Sequence, residues 1–223
     1  MALQSKISKP AAPSDSDHDA ALCDLRFRTL LSDDDWKRLP PAIRQRFSKR
    51  LADGHTAVYV GEVIEIGFSR IGWWLAQMAR LIGGPLPIST DTQVPSIVTV
   101  TEDAATSGQI WTRIYARHNG FPQVIHSSKR FAGPTGLEEY LGFGVGMALR
   151  MVVDGEDLLF RSAGYFVQAG RLKFWLPAFL TPGALTVTHS DLGGGEFQFA
   201  LEIVHPRFGM LVRQSAVFRE ATP

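Results

Sequence analysis

Residues 138–153, Glu-Glu-Tyr-Leu-Gly-Phe-Gly-Val-Gly-Met-Ala-Leu-Arg-Met-Val-Val, decide how the chain folds. They read as one strand interrupted by Gly142, Gly144 and Gly146, and glycines inside a strand mark a bulge or a sharp bend. On either side lie further strand-length runs. They are separated by turn chemistry at Ser107-Gly108, Asn119-Gly120, Gly133-Pro134, Asp154-Gly155, Ala169-Gly170, Gly193-Gly194-Gly195 and His205-Pro206. Strands are expected over 96–103, 108–118, 122–131, 157–168, 171–176, 184–190, 196–204 and 208–219. A long antiparallel meander bent at its glycines approaches a barrel.

Upstream, Thr56 to Ile66 alternates with period two and predicts another strand. Ile71, Trp74, Leu75, Met78, Leu81 and Ile82 then fall at helical spacing, so a helix over 70–83 is expected to lie buried in the concavity of the sheet. Before it come Leu22, Leu25, Phe27, Leu30 and Leu31 at roughly helical spacing. Ser32 follows as an N-cap to Asp33-Asp34-Asp35, and Pro41 opens a helix with Ile43, Phe47 and Leu51 on one face, ended by Asp53-Gly54. Residues 1–20, rich in Ala, Ser, Pro and Asp, are expected to be a disordered tail. The expected class is therefore α+β, with an N-terminal helical cap and one buried helix packed in a strongly curved antiparallel β-sheet or barrel-like meander. Residues 21–223 form one domain, divided into a cap over 21–54 and a strand, helix and sheet over 55–220.

Composition excludes several functions. With 45% hydrophobic residues the chain can bury a sizeable core, and 23 Lys plus Arg against 22 Asp plus Glu argues against an obligate nucleic-acid binder. A single cysteine, Cys23, rules out an intrachain disulfide and a Cys-rich zinc site, and it fits a reducing compartment. No apolar run reaches the length of a spanning helix, and Met1 to Ala20 lacks the apolar segment of a secretory signal, so a soluble, cytoplasmic protein is expected. The six histidines, His18, His55, His118, His126, His189 and His205, form no metal-ligand motif. There is no GxSxG, and Gly142-x-Gly144-x-Gly146 lacks the spacing of a dinucleotide loop. Neither metal nor cofactor is expected. Ser127-Ser128-Lys129-Arg130 reads as a solvated strand end.

What chemistry remains lies in a few polar residues on apolar strands. Alternation puts Trp111, Arg113 and Tyr115 on one strand face. Facing inward, Arg113 would need a carboxylate or an anionic ligand, because an unpaired interior charge costs several kcal/mol. Glu62, Glu138, Glu139 and Glu202 are available partners, and such a pair can equally be structural. Glu62 shares its face with Val58, Val60, Ile64 and Ile66 and is the candidate general base, the alternative being an edge glutamate in solvent. The leading reading is a cavity that binds a hydrophobic, lipid- or isoprenoid-like small molecule through Trp111, Arg113, Tyr115, Trp74 and Met78. The alternative is a metal-free, nucleotide-free isomerase, cyclase or hydrolase using Glu62 and Arg113 in the same cavity.

A further set of residues carries a resemblance: Leu39-Pro40-Pro41, Gly61, Gly84-Pro85, Gly108 with Trp111-x-Arg113-x-Tyr115, Leu176-Pro177 with Pro182, Phe197 and Phe199, and His205-Pro206-x-x-Gly209. In their order and spacing they resemble the bacterial family of domain of unknown function 4166, over about Leu25 to Phe218. Tyr115 departs from that pattern, which has phenylalanine there. The resemblance implies a fold and, through fusions to dehydrogenase-like domains, an oxidoreductase partner as a third reading; it implies no catalytic residue.

Overall fold

The computed structural model describes residues 24–51 and 54–221. The tail expected over 1–20, with His18, lies outside the described residues, as do Leu22, Cys23 and Asp53.

Among the described residues eleven strands form one antiparallel sheet: β1 (Ala57–Phe68), β2 (Val94–Asp103), β3 (Gly108–Tyr115), β4 (Gln123–Arg130), β5 (Glu138–Gly142), β6 (Val145–Asp154), β7 (Asp157–Ala169), β8 (Leu172–Trp175), β9 (Ala184–Gly193), β10 (Glu196–His205) and β11 (Gly209–Glu220). Neighbours in sequence pair throughout β1 to β8 and β9 to β11. β7 also pairs with β9, and β11 returns to β1. The meander therefore closes: ten strands make a barrel, with β8 appended to β7. The protein is mostly antiparallel β with few helices, which sharpens the α+β expectation. One edge of β7 is shared, because residues 158–161 pair with β9 and residues 166–169 pair with β8.

The stretch over 138–153 is two strands and not one. Gly142 opposes Val145, leaving Phe143 and Gly144 as a two-residue turn with φ of 49° and 77°. Positive φ at both central positions is the signature of the type I′ turn, whose twist matches that of the flanking strands. The glycines thus mark a reversal where a bend was expected.

The cap forms where the polar signals place it and is shorter than the apolar pattern suggests. Helix α1 (Asp33–Arg38) starts at Ser32, whose Oγ accepts from the Asp35 amide at 3.1 Å, and it carries three aspartates in its first turn. Those charges face the positive end of the helix dipole. Helix α2 (Pro41–Phe47) begins on proline and ends before Leu51. The first expected helix is a single 3-10 turn, Arg28–Leu30. Phe27 contacts Phe47, Phe131 and Phe160 with ring centroids 5.4, 4.9 and 6.4 Å apart, and Leu39 and Ile43 are fully buried beside them. These side chains join Leu149, Met151 and Leu158 in one core that plugs the barrel end at which β3, β5 and β7 begin.

Helix α3 (Arg70–Ala79), continued by a 3-10 turn over Arg80–Ile82, sits at the opposite end and is not buried in the concavity. It packs through Gly72, Ala76 and Ala79, while Ile71, Trp74, Met78 and Leu81 are 44%, 64%, 59% and 71% exposed. Close approach to β11 sets this orientation: a Cβ at Gly72 would stand 1.7 Å from the Leu211 carbonyl oxygen. Only the small side of the helix fits there, so Ile71, Trp74 and Leu81 turn outward, while Leu75, Met78 and Ile82 reach the mouth of the barrel.

Two outcomes check this account. Phe143 occupies a left-handed position that costs a bulky residue about 1 kcal/mol. Phe143→Asn, which restores the preferred Asn-Gly turn, is expected to raise the thermal unfolding midpoint. Gly72→Ala is expected to lower it, because backbone and not a flexible side chain blocks the added methyl.

Candidate functional site

Three adjacent strands bring one charged cluster together inside the barrel. β3 turns Trp111, Arg113 and Tyr115 inward, β4 turns Ile125, Ser127 and Lys129 inward, and β5 contributes Glu139. The register makes them neighbours, with Trp111 opposite Ser127 and Lys129 opposite Glu139. Lys129 Nζ lies 3.1 Å from Glu139 Oε2, and an Arg113 terminal nitrogen lies 3.6 Å from Oε1. The Arg113 guanidinium also donates to Ser127 Oγ, while its Nε is buried without a hydrogen-bond partner. Lys129 Nζ stands 4.8 Å from the centre of the Trp111 ring, a cation–π contact.

Burial and charge oppose each other here. Desolvation alone would raise the Glu139 carboxyl, but Lys129 and Arg113 beside it outweigh that and hold it below the usual carboxylate range. Desolvation lowers the Lys129 ammonium, against the pull of Glu139, and the nearby Arg113 charge pushes the same way. Burial raises the Tyr115 phenol, whose hydroxyl bonds with Gln214, and pushes Tyr165 up to about 12. Among the described residues Glu139 is the only carboxylate that lines the cavity, so two cationic side chains share one anion.

The cluster borders a cavity of about 320 Å³, walled elsewhere mostly by apolar side chains such as Leu75, Met147, Phe160, Leu185 and Phe199, with Tyr165 and Gln214 as uncharged polar members. That volume falls within the range of small-molecule sites, about 300–1,000 Å³. Met78, Ile82, Leu180 and Pro182 complete the wall on the side of α3. Since Met78 and Leu180 are each more than half exposed, the cavity reaches the surface there.

Of the residues singled out from sequence, Trp111, Arg113, Tyr115 and Met78 meet around this cavity. Trp74 does not: it points outward from α3, on the face left over once Gly72 and Ala76 have packed. Glu62 is also turned to the outside. On β1 the inward phase is Tyr59 and Val63, 3% and 0% exposed, and both faces of that strand carry apolar residues, so alternation alone does not choose between them. Glu62 therefore cannot act as a base in the cavity. Among the other carboxylates considered for Arg113, Glu138 faces away from the cavity and binds Lys173 at 2.6 Å, and Glu202 pairs with Arg213 at 3.3 Å.

Lys129 and Ser127 were hidden in a segment that reads as a solvated strand end; both are buried. The available signal is their alternation with Ile125 beside a strand that starts Glu138-Glu139. His126 on the other face is exposed. His189 is fully buried and stacked on Phe197, with Arg46 3.0 Å from its Nε2; burial first, and then the Arg46 charge, push it down to about 3. It is a neutral core residue. Among the described residues no three His, Cys, Asp or Glu side chains come together as metal ligands.

The sequence profile of a family described as Domain of unknown function (DUF4166) matches residues 39–218. The chain belongs to this family. The match runs from the start of the cap helix α2 region through β11, so in DUF4166 terms the cavity, α3 and the charged cluster all lie inside the family domain. No curated protein and no solved structure matches the chain.

Removing Glu139 tests the cluster. Glu139→Gln leaves two buried cations facing each other and is expected to cost about 3–5 kcal/mol in denaturant unfolding, whereas Glu62→Gln should stay within about 0.5 kcal/mol. The depressed Glu139 carboxyl also sets a sign. Its stabilisation is complete above the unfolded-state value of 4.5 and disappears as pH falls through the lower folded-state value. An acid titration of wild-type stability should show this loss, and Glu139→Gln should lack it.

Proposed function

We propose that this protein binds a single-chain hydrophobic molecule with an anionic head, the head seated on Arg113 and Lys129 and the chain lying in the apolar cavity. The observation that carries this reading is the charge imbalance. Two cations and one carboxylate line a cavity whose other polar groups, Tyr115, Tyr165 and Gln214, are uncharged, and Arg113 Nε has no protein acceptor. A carboxylate or phosphate head would supply the second anion and an acceptor together, at charge-assisted strength. Trp111 and Tyr115 flank the head position, and the aliphatic and aromatic wall receives the chain.

Displacement of a fluorescent fatty acid from the full chain tests it. Oleate should compete and oleyl alcohol, which has the same chain without the charge, should compete far more weakly. Arg113→Gln and Lys129→Gln each leave a neutral ion pair with Glu139 and should lower oleate affinity by about 10-fold to 100-fold. Equal competition by the alcohol would overturn the reading. The pH dependence has a definite sign: affinity should fall as pH rises through the depressed Lys129 value, because the ammonium is lost while the ligand stays ionised. Lys129→Gln should abolish that alkaline decline.

A further inference from the structure

The barrel end opposite the helical cap is far more apolar on its outside than the rest of the molecule. Among the described residues, every exposed phenylalanine or tryptophan lies on β8 or in the connections at that end. Phe121, Phe143 and Phe179 are 92%, 82% and 80% exposed, and Trp73 and Trp74 stand together on α3 with ring centroids 5.1 Å apart. Apolar groups concentrated in this way mark a contact surface, since each leaves burial energy of about 25 cal/mol per Å² unused.

Charge is asymmetric at the same end. Its connections and β8 carry Arg70, Arg80, Arg117, Arg171, Lys173 and Arg207 against one carboxylate, Asp91, in a chain whose total charge is only +1. Lys173 is held by Glu138, while Arg70, Arg80, Arg171 and Arg207 are exposed. The rings and the arginines interleave: Arg70 and Arg80 bracket Trp73 and Trp74 on α3, Arg171 precedes Leu172, and Arg207 adjoins Phe208. They are spread over several separate connections and do not form one continuous groove, so a peptide or a helix would meet only a few of them at a time. An extended, anionic, deformable surface can meet groups from several of these connections at once.

We infer that this end of the barrel docks on the surface of an anionic lipid bilayer. The aromatic side chains enter the boundary between headgroups and acyl chains, and the arginines meet lipid phosphates. The contact inferred is made by these outer side chains alone, and no described helix is long and apolar enough to cross a membrane. The inference goes beyond ligand binding and stands on a different set of residues, the outer ones.

Flotation of the full chain with vesicles tests it. The protein should float with vesicles of phosphatidylcholine and phosphatidylglycerol, less with phosphatidylcholine alone, and less again at high salt. Brominated phosphatidylcholine in the mixed vesicles should quench tryptophan emission, and Trp73→Ser with Trp74→Ser should remove most of that quenching and lower partitioning. Arg70→Gln and Arg80→Gln should each lower it by about fivefold. The double tryptophan variant and both arginine variants should keep a cooperative thermal unfolding transition like that of the wild type in vesicle-free buffer, which shows that they remain folded. Failure of the wild type to float, or equal flotation of the variants, overturns docking. A solution dimer that Trp73→Ser and Trp74→Ser dissociate also overturns it, assigning the face to a second copy. A wild type that floats but binds no fatty acid removes the ligand reading and leaves docking intact.

Discussion

Closure of the sheet governs everything else. Because β1 pairs with β11 and β7 with β6 and β9, the ladder hydrogen bonds run round a ring. A ring of about eight strands is just wide enough for its own side chains to fill, and a ten-strand ring is wider. The surplus must be plugged or left open. Here it is divided: Phe27, Ile43 and Phe47 from the cap fill one half, and the remaining half keeps a cavity of about 320 Å³. The cavity is thus a consequence of strand number, and its position follows from where the cap ends.

Within that interior the Arg113, Lys129 and Glu139 cluster is a costly choice. Apolar side chains of similar volume in those positions would give an equally or more stable barrel. The register of β3, β4 and β5 places the three groups side by side, and the ion pairs satisfy part of what their desolvation removes. The residue of positive charge supports a site for an anion more strongly than any feature of the cavity's shape.

Much of this was legible in the sequence. Turn residues and period-two alternation placed nine of the eleven strands within a few positions, because Asn-Gly, Asp-Gly and Gly-Gly have few backbone options and the runs between them alternate. The Phe143-Gly144 reversal was missed because a type I′ turn can be made by a residue that looks like part of a strand. Inward-facing Trp111, Arg113 and Tyr115 could be proposed, since one face of β3 holds all three. The phase of β1 could not be read, as both of its faces are apolar and Tyr59 and Val60 are equally plausible interior residues. Lys129 escaped for a related reason: a lysine in a polar run reads as solvated, and only the pairing of β4 with β5, a non-local fact, reveals its carboxylate. The orientation of α3 was inverted because hydrophobicity ranks Trp74 above Gly72, whereas close packing on Leu211 demands the reverse.

The helical plug has one more implication. Lys129 and Glu139 lie near the plugged end, each second from the end of its strand or of its ladder with the neighbour, and Met78 and Leu180 lie at the other. A molecule held by its charge at the bottom of such a cup points its far end outward. Discrimination would then be strict for the group that reaches the floor and lax for length, because whatever exceeds the depth of the cup simply protrudes among the exposed side chains at its lip.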